Sequence, residues 1–470
     1  MNIPHRWRVR LACLLAVCAF ALNAAQAQTL DYGLFGTLHL SRPAGAIAHT
    51  VLLFSDATGW TPRQDALSDA LARNGAFVVG IDLPAYLQRM ESIKDKCSFP
   101  AAHVEEVAHW IERHEGLETY TYPLLAGDGA GATFAYAVLA QAPAGTFEGA
   151  LTLGWDSTLR FPKSFCHADA GTVTAATAAG DFRIVPVAKL PALWQPLPFA
   201  SDARINELGG LFARAWHLFG LLWPTFASSD SASALGAAYA RWRRSEDAVA
   251  ALPDDVADLP LTDIAPTGAR KPGAPPRVAI IITGDGGWAG LDRGVADALT
   301  AQGIRVIGFS TLKFFWHKQT PAATADAITR VIAHYGKDDP DVRFVLIGYS
   351  FGASLVPVAI NRLPDAARQR VDGGVMISPD DTAVFEIHVG DWFGSTRHDE
   401  ALPLMPELTA SKAPLLCVHG IDEDDSFCLK APRRGLSLVQ LPGGHHYNGD
   451  YEALGAAIVD HLPAAPIREP

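Results

Sequence analysis

The feature that most restricts how this chain can fold is a repeat. Val51-Leu52-Leu53-Phe54 is an apolar run that leads into Ser55-Asp56-Ala57-Thr58-Gly59-Trp60. Ala279-Ile280-Ile281-Ile282 leads in the same way into Thr283-Gly284-Asp285-Gly286-Gly287-Trp288. A helical pattern follows each and ends at Asn74-Gly75 or Gln302-Gly303, with 15 residues from tryptophan to glycine in both copies. A second apolar run comes next, over 76–81 in one copy and 304–309 in the other. Short continuous apolar runs alternating with helices mark strands buried on both faces of a parallel sheet. Glycine after each helix suits a left-handed C-cap, and right-handed crossovers then wind helices onto both faces. The pattern predicts an α/β chain built from two doubly wound parallel-sheet domains in tandem.

A chain of 470 residues has room for two or three domains, and 49% hydrophobic content supplies their cores. Residues 1–27 read as a secretory signal: Arg6, Arg8 and Arg10 precede a short apolar stretch, and Ala25-Gln26-Ala27 offers a signal-peptidase site. Cleavage after Ala27 would leave 35 Lys+Arg against 50 Asp+Glu, a formal charge of −15. That balance argues against nucleic acid as a partner. The domains are then expected at 28–250 and 277–470, with proline-rich 251–276 as a linker and 195–250 as a helical cap or bridge. Export leaves four cysteines, and four allow three pairings. One bridge per half, Cys97–Cys166 and Cys417–Cys428, is the favoured arrangement. No Cys-x-x-Cys or Cys/His metal spacing occurs, so neither metal nor cofactor is expected.

The chemistry falls in the second half. An apolar strand over 343–347 runs into Gly348-Tyr349-Ser350-Phe351-Gly352-Ala353, and 354–362 is helical in pattern. A strand, G-x-S-x-G, then a helix is the nucleophile elbow of α/β-hydrolases, with small residues flanking a serine on a sharp turn. Ser350 is the candidate nucleophile. The matching turn of the first half, Gly127-Asp128-Gly129-Ala130-Gly131, has glycine at that position, so the first domain is expected to be catalytically degenerate. In this fold the acid and the histidine follow the serine in chain order. Asp422, Glu423, Asp424 and Asp425 follow the strand 414–418, and Pro442-Gly443-Gly444-His445-His446-Tyr447 follows Leu436–Leu441. His445 is preferred over His446 as base. The loop 283–287 is expected to line the oxyanion hole, with the N–H groups of Gly286 and Phe351 as donors. Asp285 and Trp288, with Asp380 and Asp381 farther along, are candidates to contact substrate. Phe314, Phe315 and Trp316 are read either as core or as a surface for lipid chains.

These motifs, Gly284–Trp288, Gly348–Ala353, Pro442–Tyr447 and the acidic loop ending Asp425-Ser426-Phe427-Cys428, resemble the AcvB/VirJ family of bacterial virulence-associated periplasmic proteins. The resemblance covers the second half, and the tandem length resembles the longer, AcvB-like members. It implies Asp425 as the triad acid, just before the Ser-x-Cys step, whereas simple spacing after the strand suggests Asp422 or Glu423. It also implies hydrolysis of aminoacyl-phosphatidylglycerol, lysyl or alanyl, in the periplasm. The substrate would be a phospholipid headgroup at the membrane surface, with Asp380, Asp381, Glu386 and Asp391 available to its ammonium groups. Two other readings stand beside it: a broader carboxylesterase or lipase, and a non-catalytic docking protein for secretion-system components.

Overall fold

The computed structural model describes residues 28–154, 159–166, 168, 171–197, 231–246, 254–288, 290–387, 401–432 and 435–462. The expected signal segment, most of the helical stretch 195–250 and Asp391 lie outside the described residues. The chain forms two compact units: 1–101 with 123–141 and 148–247, and 102–122 with 142–147 and 248–470. A piece of the first half, 102–122, therefore belongs to the second unit. Its Tyr120 lies in that unit's apolar core beside Phe315 and Trp316, and the Trp316 indole donates to Leu117 O at 3.0 Å.

The first unit contains a seven-stranded sheet: β1 (Gln28–Tyr32), β2 (Gly36–Ser41), β3 (His49–Phe54), β4 (Ala76–Ile81), β5 (Leu124–Asp128), β6 (Gly149–Leu153) and β7 (Leu193–Leu197). The strand order is β1-β2-β4-β3-β5-β6-β7, parallel from β4 to β7, with β2 antiparallel to both β1 and β4. The second unit has β8 (Leu261–Ile264), β9 (Arg277–Ile282), β10 (Arg305–Phe309), β11 (Arg343–Tyr349), β12 (Val371–Ile377), β13 (Leu415–Gly420) and β14 (Leu436–Leu441). Its order is β8-β10-β9-β11-β12-β13-β14, with the edge strand β8 antiparallel to β10 and the rest parallel. Two tandem α/β-hydrolase-like domains account for both sheets.

The repeat has a packing cause. A Cβ on Gly80 of β4 would lie 1.9 Å from the Trp60 ring, and one on Gly308 of β10 would lie 2.5 Å from Trp288. The glycine in the second strand of each copy thus makes room for the tryptophan that ends the preceding loop. Within β9, Ile280 and Ile282 enter one apolar cluster and Ala279 and Ile281 the other, as alternation across a doubly covered strand requires. Part of the expected linker is sheet: Leu261–Ile264 pairs with β10, and Arg305 donates twice to Asp263, at 2.7 and 2.8 Å. The strand order reverses between β9 and β11, and in open α/β sheets ligands bind beyond the carboxyl ends of the strands at such a point.

Candidate active site

Ser350 follows β11 with φ 51° and caps the helix Phe351–Arg362. The turn is tight for a reason visible in its glycines. A Cβ on Gly348 would meet Gly352 O at 2.3 Å, and one on Gly352 would meet Ile282 O at 2.2 Å and Thr283 O at 2.3 Å. No side chain fits at either position without moving backbone, so strand and helix pass at van der Waals contact and the serine is left projecting. The Phe351 N–H, at the first helical position, has no acceptor within its own helix.

His445 Nε2 lies 3.0 Å from Ser350 Oγ, and His445 Nδ1 lies 2.9 Å from Glu423 Oε1. An ionised carboxylate can only accept, so Nδ1 carries the hydrogen and Nε2 turns its lone pair to the serine. The other carboxylate oxygen, Glu423 Oε2, accepts from Gly420 N at 2.7 Å and from Ser378 Oγ at 2.8 Å. A Cβ on Gly420 would sit 2.3 Å from Gly443 O, which is how closely the acid-bearing and base-bearing loops run together. His446 is turned away, with its Nδ1 3.1 Å from Tyr349 Oη.

The acid expected at Asp425 is corrected by this geometry: the structure places Glu423 against His445. The turn after β13 is closed by Glu423 N donating to Gly420 O and Asp422 N donating to Gly443 O. That aims Glu423 back over the strand end, and its extra methylene reaches the imidazole. Asp422 and Asp425 are exposed on either side of it. Both expected disulfides are formed, and Cys417–Cys428 ties the end of this loop to β13.

Electrostatics around the imidazole favour its protonated form. Desolvation works against the charge on His445, but the hydrogen bond and charge of Glu423, with the charges of Asp380 and Asp285, raise its pKa above the ordinary value. Glu423 is likewise partly desolvated. Its hydrogen bonds from His445, Gly420 and Ser378 outweigh that and hold its carboxyl below the usual range. Asp380 is raised by desolvation and by Asp285, Asp381 and Glu423, with His445 opposing. Glu105, on the helix Pro100–His114, is pushed up to about 8 by desolvation and then by Asp285. Nothing in the sequence ties a glutamate so far upstream to the loop that carries Asp285.

Of the other expected contacts, Asp285 is half-buried with its charge felt at His445, and the Cα of Gly286 faces open space. Trp288 is not presented to a substrate; it is buried in the core over Gly308. Asp381 is paired with Lys430 at 3.1 Å and Glu386 with Arg113 at 3.5 Å, which removes both as bare ammonium ligands. Phe315 and Trp316 are core residues, and the Phe315 ring stands edge-on to Phe351 at 5.3 Å. Among the described residues, no group of three or more His, Cys, Asp or Glu side chains could hold a metal ion.

The first unit keeps the turn without the hydroxyl. Gly129 has φ 56°, and a Cβ on Gly127 or Gly131 would collide with backbone as at Gly348 and Gly352. Asp56 Oδ1 accepts from Ala130 N at 2.9 Å, the counterpart of the Phe351 N–H. Asp128 is held by Arg63 at 2.6 and 2.9 Å and by Gln64 at 2.9 Å.

Residues 276–465 match the family described as bacterial virulence protein (VirJ). The match covers the part of the chain that forms the second sheet, its edge strand β8 apart. The matched segment carries β9 to β14 together with Ser350, Glu423 and His445. No curated protein matches the chain at a significant level. Among solved structures the chain is similar to Est1E from Butyrivibrio proteoclasticus, at 18% identity, covering 43% of this chain and 93% of that one, with a TM-score of 0.31. It is also similar to XC6422 from Xanthomonas campestris, a member of the a/b serine hydrolases without a lid, at 18% identity over 44% and 90% of the two chains, TM-score 0.29. A third is a dienelactone hydrolase of Klebsiella pneumoniae, 13% identical over 43% and 92%, TM-score 0.32.

Proposed function

We propose that the second unit is a serine esterase of the periplasm that hydrolyses aminoacyl-phosphatidylglycerol to phosphatidylglycerol and a free amino acid. The observation that carries the hydrolytic part is the unbroken sequence of contacts Glu423–His445–Ser350. Ser350 Oγ attacks the aminoacyl carbonyl as His445 Nε2 takes its proton, and Glu423 stabilises the imidazolium that forms. The Phe351 and Gly286 N–H groups receive the oxyanion. His445 then returns the proton to the departing glycerol oxygen, and water, activated the same way, releases the amino acid from Ser350.

The substrate part draws on charge and compartment. Asp285 and Asp380 bring negative charge to His445, which favours an acyl group carrying ammonium. Two disulfides suit an oxidising compartment. Among the described residues, no helix is long and apolar enough to cross a membrane. The test is amino acid release from purified lysyl- and alanyl-phosphatidylglycerol, with Ser350→Ala alongside. Release by the wild type alone supports the whole reading. Cleavage of a short-chain aryl ester but of neither lipid would leave a broader esterase, and inertness toward all three would leave a docking protein.

A further inference from the structure

Among the described residues only four non-glycine positions have a left-handed backbone: Ser350, Ser378, Tyr447 and Asn448. Such conformations are sparsely populated and persist where surrounding structure enforces them, commonly at functional sites. Ser350 is the elbow serine. Ser378 and Tyr447 come from different loops, after β12 and after β14, and converge on Glu423. Ser378 is 3% exposed and Tyr447 is 1% exposed. Ser378 Oγ lies 2.8 Å from Glu423 Oε2 and 2.8 Å from Tyr447 Oη, and Tyr447 Oη also lies 3.2 Å from Val418 O.

Counting hydrogens gives this arrangement a direction. The two hydroxyls share two hydrogens between three short contacts. A carboxylate and a carbonyl cannot donate. If Tyr447 gave its hydrogen wholly to Val418 O, Ser378 would have to donate to Tyr447, and its lone pairs would then face a charged carboxylate oxygen across 2.8 Å. The alternative satisfies the charge: Ser378 donates to Glu423 Oε2, and Tyr447 donates to Ser378 with Val418 O as a weaker second acceptor. Hydrogen bonds to a buried charge are the stronger kind.

We propose that Ser378 and Tyr447 are positioning residues, a directed chain Tyr447→Ser378→Glu423 that fixes the carboxylate so that its other oxygen stays on His445. This rests on the reading of Ser350, His445 and Glu423 as the hydrolytic triad. Glycine accepts a left-handed backbone without strain, so Ser378→Gly removes the hydroxyl while leaving the fold intact.

The experiment measures kcat, KM and the pH profile on an aryl ester for wild type, Ser378→Gly and Tyr447→Phe, with thermal melting alongside. Expected for Ser378→Gly is an unchanged or higher melting midpoint, a fall of about 10-fold in kcat and a steady KM. The acid limb should also move to lower pH, because a carboxylate free to rotate supports the imidazolium less. Tyr447→Phe leaves the serine donor in place and should lose less. Full activity with an unmoved acid limb in folded Ser378→Gly would overturn the proposal. NMR titration of His445 in wild type and Ser378→Gly separates this from the hydrolase reading, since it needs no substrate. A lower His445 pKa in the variant supports positioning even if no ester is cleaved, and an unchanged one refutes it.

Discussion

Glu423→Gln is the substitution whose consequence follows most directly from the geometry. The amide has the shape of the carboxylate but only one oxygen. Two donors, Gly420 N at 2.7 Å and Ser378 Oγ at 2.8 Å, converge on the position of Oε2 and will claim that oxygen. The NH2 group is then left facing His445 Nδ1 at about the present 2.9 Å. Two N–H groups cannot bond each other, so the imidazole must surrender its Nδ1 hydrogen and carry it on Nε2, pointing at Ser350 Oγ. A base in that tautomer cannot take the serine's proton. Loss of the correct tautomer lowers kcat by about 10⁴-fold, or about 5 kcal/mol of barrier. Asp425→Asn, on an exposed turn with no part in this network, should stay within about twofold of wild type. The assay is steady-state hydrolysis of an aryl ester, with circular dichroism to establish folding. If Asp425→Asn fell as far as Glu423→Gln, or if folded Glu423→Gln kept a tenth of its activity, the assignment of the acid would be wrong.

Three further outcomes follow from the same structure. The acid limb of kcat/KM should lie above the ordinary histidine pKa of about 6.5, since the base works only after losing a proton that Glu423, Asp380 and Asp285 hold on; salt should lower it by screening the two aspartates, and a limb below 6.5 would contradict the field described. Gly352→Ala forces backbone apart at the elbow, where a Cβ would lie 2.2 Å from Ile282 O, and should lose about 1–3 kcal/mol of stability by denaturant unfolding together with most of the activity. Asp372→Asn should destabilise the second unit by about 3–5 kcal/mol, because a fully buried carboxylate bridges Arg277 at 2.9 Å and Arg343 at 2.8 Å; it sits at the opposite end of the sheet from Ser350, so kcat of the folded fraction should not change.

The parts of this molecule that were legible in the sequence are those set by local chemistry. Apolar runs declared β3, β4, β9 and β10, and Gly348 and Gly352 bracketed a serine because nothing larger fits there. His445 was legible from its place between the last strand and the last helix. The acid was not, because four carboxylates stand in a row from Asp422 to Asp425, and the choice among them is made by a backbone turn bonded to Gly443. Asp381 read as a ligand because its partner Lys430 lies 49 residues away in sequence. Trp288 read as a contact because an aromatic beside a glycine loop looks the same whether it faces a substrate or packs on Gly308. The strand Leu261–Ile264 was hidden among prolines, where an edge strand needs only one partner and leaves a weak pattern.

The two elbows, taken as one experiment run twice, show what separates a fold from a site. Both have the glycines that let strand and helix close, and both hold the central residue at nearly the same φ, 56° at Gly129 and 51° at Ser350. They differ in what meets the N–H after that residue. Asp56 and Gly284 each stand four residues before a tryptophan, and each bridges to the glycine that precedes it. Asp56 fills its own elbow: its carboxylate takes the Ala130 N–H, and a Cβ on Gly129 would lie 2.2 Å from the same oxygen. Gly284 has no side chain to do this, and in the proposed reaction the Phe351 N–H receives the oxyanion. Restoring a serine at position 129 would therefore not restore a site. The hydroxyl would meet a carboxylate already seated where the developing charge must go, and a negative group in that place disfavours the tetrahedral intermediate even if a base were supplied. Losing the serine and filling the oxyanion position are thus mutually reinforcing changes, and the elbow geometry survives both because it is held by glycine–backbone contacts that neither change touches.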